Sequence, residues 1–359
     1  MRARELESGR IPTPRQVFEA LDRYVIGQTY AKRAISIAAY NHMKRLVERA
    51  AGKKGLIKKS NVLMIGPTGS GKTHISRQLA KVLDVPFVVV DATEYTEAGY
   101  YGKDIEVMVA ELLFKTGQNV EETERGIIFV DEIDKIARRS HGARTGAGSR
   151  DIGGEGVQQA LLKLLEGTEV FVPLNVTQHW AKHDFVQVDT TDILFICAGT
   201  FSDMYAYGGE KAIGMRPRDG ANDGKTREAG PAAATKRASE KDLLEYGMLS
   251  EFLGRLPVVV ELGELTLSEL ERVMTEPPDS IVKEYQHLLA ADDIQLRVEA
   301  EAVRAIAGHA IRKRTGARGL RSIFERVMHD VLFEAPERRG ETIVVDERFV
   351  AERLSQRRE

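Results

Sequence analysis

Eight consecutive residues in the first quarter of the chain have the composition of a loop that binds phosphate. They fit the pattern G-x-x-x-x-G-K-[ST] and are Gly66-Pro67-Thr68-Gly69-Ser70-Gly71-Lys72-Thr73. Glycines let such a loop turn tightly, so that several backbone N–H groups point at one phosphate group. The helix predicted to follow would present its positive N-terminus to the same anion. The pattern predicts an ATP site in which Lys72 reaches the β- and γ-phosphates and Thr73 ligates Mg²⁺.

Two adjacent carboxylates, Asp131 and Glu132, follow a second apolar run at residues 127–130. A buried strand there would carry Asp131 to the Mg²⁺ site, where it would act through a bound water. Glu132 would then polarise a water molecule for in-line attack on the γ-phosphate. An isolated Asp-Glu pair is ordinarily a solvated strand end. Together with the phosphate loop, the pair favours ATP hydrolysis over simple nucleotide sensing.

The elements that must position these motifs alternate between short apolar runs and helical patterns. Strands are predicted at 61–66, 87–91, 126–131, 192–197 and 256–260, and helices at 74–83, 105–115 and 156–166. This alternation is typical of an α/β fold in which helices cover both faces of a parallel sheet. The predicted fold places the phosphate loop after the first strand and the two carboxylates after the third.

Three segments are predicted along the chain. Residues 1–60 form an N-terminal helical segment that ends in a basic, glycine-containing linker. Residues 61–262 form the large α/β domain, which includes an insertion at about 203–240 that has little periodicity and is expected to be mobile. Residues 263–359 form a smaller, mainly helical C-terminal domain, with short strands predicted at 294–298 and 342–345.

Composition excludes several classes of protein. The 359 residues are 42% hydrophobic and 30% charged, which is unlike a disordered chain, and the net charge is −2. This charge gives no sign of a nucleic-acid or membrane-surface partner. The single cysteine, Cys197, excludes an internal disulfide framework and a Cys-rich zinc module, so no zinc is expected. With neither a secretory signal nor a membrane-length apolar run, a cytoplasmic protein is expected.

Six motifs, taken in order, resemble those of the ClpX family of AAA+ protein unfoldases, which belongs to the Clp/Hsp100 group and is related to HslU. They are VIGQ at 25–28, the phosphate loop at 66–73, DEIDK at 131–135, GVQQALLK at 156–163, FLGRLPV at 252–258 and GARGLR at 316–321. The resemblance extends from about residue 12 to residue 350. It implies an AAA+ P-loop NTPase fold and a homo-hexamer that uses ATP hydrolysis to pull protein substrates through a central pore.

The resemblance also implies roles for single residues. Val25 and Ile26 would line the adenine pocket. Arg255 matches an arginine finger that is donated to the γ-phosphate of the neighbouring subunit, and Arg318 matches the sensor-2 arginine of the small domain. Both are planar donors suited to phosphate oxygens, and a finger donated in trans would explain why such enzymes form rings.

The predicted pore loop is Gly99-Tyr100-Tyr101-Gly102, in which Tyr101 stands where the family usually has a small aliphatic residue. Tyr100 and Tyr101 could grip an extended polypeptide, because tyrosine buries a large apolar area with few rotamers to freeze. Arg150-Asp151 resembles a second pore loop.

Three features depart from the family. The N-terminal zinc domain is not found in front of the ATPase region, so adaptors that bind through it are not expected. The peptidase-docking loop has Ile213-Gly214-Met215 in place of Ile-Gly-Phe, and methionine is a fair apolar substitute for docking on a ClpP-like peptidase. The basic pore-entrance segment aligns with residues 178–180, Gln-His-Trp.

Three functions remain open on the sequence alone. The first is an ATP-driven unfoldase that serves as the ATPase subunit of a ClpXP-like protease. The second is a remodelling chaperone without a peptidase partner, a hypothesis that the altered docking loop motivates. The third is a nucleic-acid-stimulated ATPase, in which the two tyrosines would stack on bases, although the net charge disfavours it.

Overall fold

The computed structural model describes residues 11–52, 56–96, 103–138, 154–173, 185–202, 204 and 238–355. Up to the last strand of the main sheet, the elements are α1 (Pro14–Asp22), α2 (Thr29–Ala50), β1 (Val62–Ile65), α3 (Lys72–Leu83), β2 (Phe87–Asp91), α4 (Val107–Lys115), α5 (Val120–Thr123), β3 (Ile127–Asp131), α6 (Gly154–Glu166), β4 (Glu169–Pro173), β5 (Phe185–Asp189), β6 (Leu194–Gly199), α7 (Glu240–Tyr246), α8 (Ser250–Gly254) and β7 (Val258–Glu261).

The main sheet contains five parallel strands in the order β2-β3-β6-β1-β7. Strand β1, which leads into the phosphate loop, lies between β6 and β7, and β3, which ends at Asp131, lies on the other side of β6. Because the strands are parallel, their carboxyl ends meet at one edge of the sheet, where ligands bind in open α/β folds. The predicted α/β fold with a covered parallel sheet is confirmed.

Alternate residues of each central strand pack into two separate cores. Ile128 and Val130 of β3 join one cluster, whereas Ile127 and Phe129 join the other. Residues of α4, α6, α7 and α8 complete the first cluster. Residues of α1, α2 and α3 complete the second cluster. Burial on both faces explains why these strands are continuous apolar runs with no polar alternation.

Some elements were not predicted. Strands β4 and β5 form an antiparallel hairpin whose register pairs Phe171 with Gln187. They alternate between exposed and buried residues, and a long segment separates them in the chain, so no short turn motif marks them. The short helices α7 and α8 were not predicted from the sequence either. Helix α7 has a capping box at Ser239 and Asp242, which is a sequence signal that could have found it.

The C-terminal part continues with α9 (Leu267–Thr275), α10 (Ile281–Ala290), β8 (Gln295–Val298), α11 (Ala300–Arg312), α12 (Gly316–Glu334), β9 (Thr342–Val345) and α13 (Glu347–Ser355). Its helices enclose a third apolar cluster, and β8 pairs with β9 in parallel. The two strands lie where the sequence predicts them, whereas α13 was not predicted. Among the described residues, no helix combines the length and the apolar character that crossing a membrane requires.

Candidate nucleotide-binding site

A cavity of about 760 Å³ lies at the edge of the sheet where the strands end. The large part of the chain contributes the phosphate loop, the segment around Val25, the start of the turn after β3 and the turn after β6. The C-terminal part contributes Leu265, Val273, Ala317 and Arg318. Both parts of the chain therefore form walls of the same site.

The phosphate loop connects β1 to α3 and depends on its glycines. Gly69 and Gly71 have φ values of +79° and +100°, in the left-handed region that side chains rarely adopt. A Cβ atom on Gly69 would also lie 2.6 Å from the carbonyl oxygen of Thr315. The Ser70 hydroxyl is buried and has no hydrogen-bond partner among the described residues. An unpartnered buried donor next to open backbone N–H groups suits a bound phosphate.

Lys72 is the first residue of α3 and is largely buried. Its Nζ donates hydrogen bonds to the carbonyl oxygens of Gly66, at 2.6 Å, and Pro67, at 3.1 Å. Burial lowers the pKa of Lys72, and the nearby carboxylates of Asp131 and Asp134 partly oppose that shift. The ammonium group is thus held at the base of the loop by acceptors that phosphate oxygens could replace.

Asp131 ends β3 beside the first turn of α3. Its Oδ2 lies 3.5 Å from the hydroxyl of Thr73, and its Oδ1 accepts a hydrogen bond from the N–H of Glu132 at 3.0 Å. A hydroxyl beside a carboxylate is an oxygen donor set of the kind that Mg²⁺ prefers. These residues fit the predicted cation.

Glu132 has an unusual backbone conformation. Its φ and ψ are 56° and 31°, in the left-handed region, and its side chain is exposed within the cavity lining. Such a conformation costs about 1–3 kcal/mol for a residue other than glycine, and strained residues cluster at functional sites. The strain turns the chain sharply at the end of β3, so that two successive carboxylates both line the cavity.

The turn after β6 adds polar residues that the sequence analysis missed. Thr200 and Ser202 line the cavity, and the hydroxyl of Thr200 donates to Oδ2 of Asp134 at 2.8 Å. Asp134 is 5% exposed and also accepts the N–H of Phe201, at 3.3 Å. The sequence does contain a signal for this turn. Thr200 is a polar residue that directly follows an apolar strand, as Asp131 and Glu132 follow the apolar run at 127–130.

The N-terminus of α12 contacts the phosphate loop directly. The N–H of Ala317 donates to the carbonyl oxygen of Gly69 at 3.3 Å, and Gly316 has a φ of +55° where it packs on that glycine. Arg318, the next residue, lines the cavity. The predicted sensor-2 arginine therefore lies at the nucleotide cavity of its own chain.

Gln28 links three segments of the site, a role that its sequence motif did not predict. Its side-chain amide donates to the carbonyl oxygen of Gly263 at 2.8 Å and accepts the N–H of the same glycine at 3.1 Å. The amide nitrogen also lies 3.4 Å from the carbonyl oxygen of Ser70 in the phosphate loop. Gln28 thereby connects the loop to the junction between the two parts of the chain.

Val25 and Ile26 line the cavity and are buried, whereas Arg255 is not among the lining residues. Arg255 follows α8 at the surface, where its guanidinium pairs with Glu166. The structure thus brings the predicted nucleotide-site residues to a single cavity, except for Arg255 and for Gly66 and Pro67 at the start of the phosphate loop.

Several predicted residues lie outside the described part of the chain. These are the pore-loop residues Tyr100 and Tyr101, the second pore loop at Arg150 and Asp151, the pore-entrance residues 178–180 and the docking residues Ile213, Gly214 and Met215.

Comparisons with known proteins identify the family of this chain. The family model described as AAA domain (Cdc48 subfamily) matches residues 57–259, and the model of the C-terminal, D2-small domain, of ClpB protein matches residues 265–344. A relative from Treponema denticola named "ATP-dependent Clp protease ATP-binding subunit ClpX" is 43% identical over 345 residues, which cover 96% of this chain and 82% of the relative. The chain belongs to the ClpX family of AAA+ unfoldases.

A second relative, named "ATP-dependent Clp protease ATP-binding subunit ClpX 2", comes from Wolinella succinogenes. It is 42% identical over 334 residues, which cover 93% of this chain and 80% of the relative. The predicted resemblance, the AAA+ fold and the ATPase activity are confirmed by these matches. As a ClpX-family member, the protein is an ATP-hydrolysing enzyme, and the cavity beside its phosphate loop is the place where its residues can bind the nucleotide.

Proposed function

We propose that this chain is the ATPase subunit of a homo-hexameric ring that unfolds protein substrates by pulling them through its centre, as part of a ClpXP-like protease. One observation supports the ring most directly. The cavity collects the phosphate loop, both carboxylates and Arg318 from one chain, whereas Arg255 lies outside it. An exposed arginine that lies outside the site of its own chain is suited to serve the site of a neighbouring copy.

ATP binding uses groups from both parts of the chain. Val25 and Ile26 supply an apolar surface for the adenine ring, and the N–H groups of the phosphate loop surround the phosphates. Lys72 exchanges its two carbonyl acceptors for β- and γ-phosphate oxygens. Thr73 and Asp131 would hold Mg²⁺, which would neutralise phosphate charge when bound.

During hydrolysis, Glu132 acts as the general base. Its carboxylate accepts a proton from a water molecule as the water oxygen attacks the γ-phosphorus in line with the bond to the β-phosphate oxygen. That bond breaks, and the products are ADP and inorganic phosphate. Arg318 in the same chain, and Arg255 from the neighbouring copy, donate hydrogen bonds to phosphate oxygens as negative charge develops.

Contact with the other partners belongs to the two loops outside the described residues. Tyr100 and Tyr101 grip the polypeptide, and Ile213-Gly214-Met215 insert into an apolar cleft of a ClpP-like peptidase. The names of the two relatives, which include the words Clp protease, support this partnership.

An unfolding assay tests the proposal. The purified chain, ATP and a stable fluorescent domain with an unstructured tag are mixed, and loss of native fluorescence is followed. We expect unfolding with ATP, no unfolding with ADP, and strong loss with Tyr100→Ala at a nearly normal ATPase rate. A failure to unfold any tagged substrate while ATP turns over would contradict the proposal, as would an ATPase stimulated only by single-stranded DNA.

The peptidase partnership has a separate test. Adding a ClpP-type peptidase should convert unfolding into ATP-dependent proteolysis. Met215→Asp should abolish proteolysis but leave unfolding intact, because a charge is costly in an apolar cleft. Met215→Phe should retain proteolysis. Unfolding with no proteolysis in either the parent or the Met215→Phe chain would instead support the remodelling chaperone.

A further inference from the structure

The guanidinium of Arg255 is held along one of its edges. Nε and Nη2 donate to the same oxygen of Glu166, Oε1, at 2.8 and 2.5 Å. A guanidinium carries five N–H donors in a planar fork, so this contact uses two of them and leaves the Nη1 edge to other acceptors. The side chains of Arg255 and Glu166 are 49% and 47% exposed, which puts the pair at the surface.

A buried amide in the core fixes the main chain at both ends of this pair. Nδ2 of Asn61 donates to the carbonyl oxygen of Arg255 and to that of Leu165, the residue before Glu166, both at 3.1 Å. Its Oδ1 accepts the N–H of Phe195 on β6 at 3.3 Å, and Asn61 is 1% exposed. The backbones that carry the two partners are therefore anchored to the sheet and to each other.

Stability does not explain why Glu166 has a carboxylate. Glu166 is the last residue of α6, where a negative charge opposes the helix dipole. An exposed ion pair contributes little to the free energy of folding. Glu166 is also absent from the lining of the nucleotide cavity of its own chain.

We propose that Glu166 is a positioning residue for Arg255. It holds the Nε edge of the guanidinium so that the Nη1 edge is presented to the γ-phosphate of ATP in the neighbouring copy. The inference rests on the trans role of Arg255 proposed above. Loss of the accepting oxygen at residue 166 should slow hydrolysis without weakening ATP binding, because the arginine remains but is no longer oriented.

The test compares Glu166→Ala, Glu166→Gln and a matched control, Glu341→Ala. Oε2 of Glu341 accepts a hydrogen bond from Nε of Arg338 at 2.8 Å and lies 2.8 Å from its Nη2, in a surface ion pair away from the cavity. Glu166→Ala should lower kcat about tenfold with an unchanged KM, as expected for loss of an orienting partner. Glu166→Gln should retain most activity, because its amide oxygen can accept the same hydrogen bonds. The control should match the parent.

A double variant tests whether Glu166 acts by positioning Arg255 or only by stabilising the fold. In an Arg255→Ala background, Glu166→Ala should cause no further loss, as measured with radiolabelled ATP to detect slow turnover. A normal kcat for Glu166→Ala, or an equal loss in both backgrounds, would overturn the inference. If Arg255→Ala alone kept the parent rate, the trans role itself would fail. Thermal unfolding and sizing in ATP verify that each variant folds and assembles.

Discussion

The two arginines selected from the sequence lie in contrasting surroundings. Arg318 lines the nucleotide cavity of its own chain, at the N-terminus of α12, where the backbone of Ala317 contacts the phosphate loop. Arg255 lies outside that cavity and pairs with Glu166 at the surface. Under the proposed function, this difference in position corresponds to two roles. Arg318 would respond to nucleotide within its own chain, whereas Arg255 would act on the site of a second copy.

The means of support differ as well. Arg318 is placed by main-chain packing, since the two glycines Gly69 and Gly316 allow the loop and the helix to approach closely. Arg255 is placed by one buried side chain, Asn61, and one exposed carboxylate, Glu166. We therefore expect changes at Arg318 to affect nucleotide binding, and changes at Arg255 to affect turnover only in the assembled protein.

The largest expected effect is that of Arg255→Ala. Removing an arginine finger should lower kcat by about 10³-fold, while affinity for ATP and assembly remain near those of the parent. ATPase assays and binding of a fluorescent nucleotide measure the two properties. If Arg255→Ala weakened ATP binding instead, the contrast with Arg318 would disappear.

Glu132→Gln should reduce kcat by about 10²-fold, because the amide cannot accept the proton of the attacking water. ATP should still bind, so the variant should hold substrates in a stable complex that can be isolated. Near-normal turnover would remove Glu132 as the base. Glu121→Gln, at an exposed position on α5, is a control of the same chemistry outside the cavity.

Arg318→Ala should weaken ATP binding about tenfold, as expected for the loss of a charge-assisted hydrogen bond to phosphate. The effect should be present in dilute, unassembled protein, which isothermal titration can measure. An effect seen only in the assembled form would mean that Arg318, like Arg255, acts across subunits.

The smallest expected effect is that of Gln28→Ala. It removes the contacts with Gly263 and Ser70, and we expect a loss in ATP affinity of about threefold, because exposed and partly buried hydrogen bonds contribute little net free energy. Gln28→Glu is a sharper variant, since it retains the acceptor for the Gly263 N–H but loses the donor. An unchanged affinity in both variants would show that the junction does not influence the phosphate loop.

Part of this picture could be predicted from the sequence, because local patterns encode it. The phosphate loop has a fixed spacing, and the strands that end at Ile65 and Asp131 are apolar runs, the second of which ends in a carboxylate. The sheet and its site follow from these patterns. The backbone strain at Glu132 could not be predicted, because it results from tertiary packing at the end of β3. No local sequence pattern signals it.

Polar contacts between residues far apart in the chain could not be predicted from the sequence either. Asn61 meets Arg255, and Gln28 meets Gly263, across separations of 194 and 235 residues. A single asparagine or glutamine carries no signal of its partner. Glu166 looks like an ordinary surface charge in the sequence, and only the structure shows that it binds one edge of the Arg255 guanidinium.

A mixing experiment tests the central claim, that each site is completed by Arg255 of a neighbouring copy. Lys72→Ala, which cannot bind the phosphates, and Arg255→Ala are purified separately, mixed and reassembled, and ATP hydrolysis is measured. When equal amounts of the two variants assemble at random into rings, about a quarter of the sites combine an intact phosphate loop with an intact Arg255 from the neighbouring copy. We predict that the mixture hydrolyses ATP although neither variant does alone. A mixture that co-assembles but stays inactive would contradict the account.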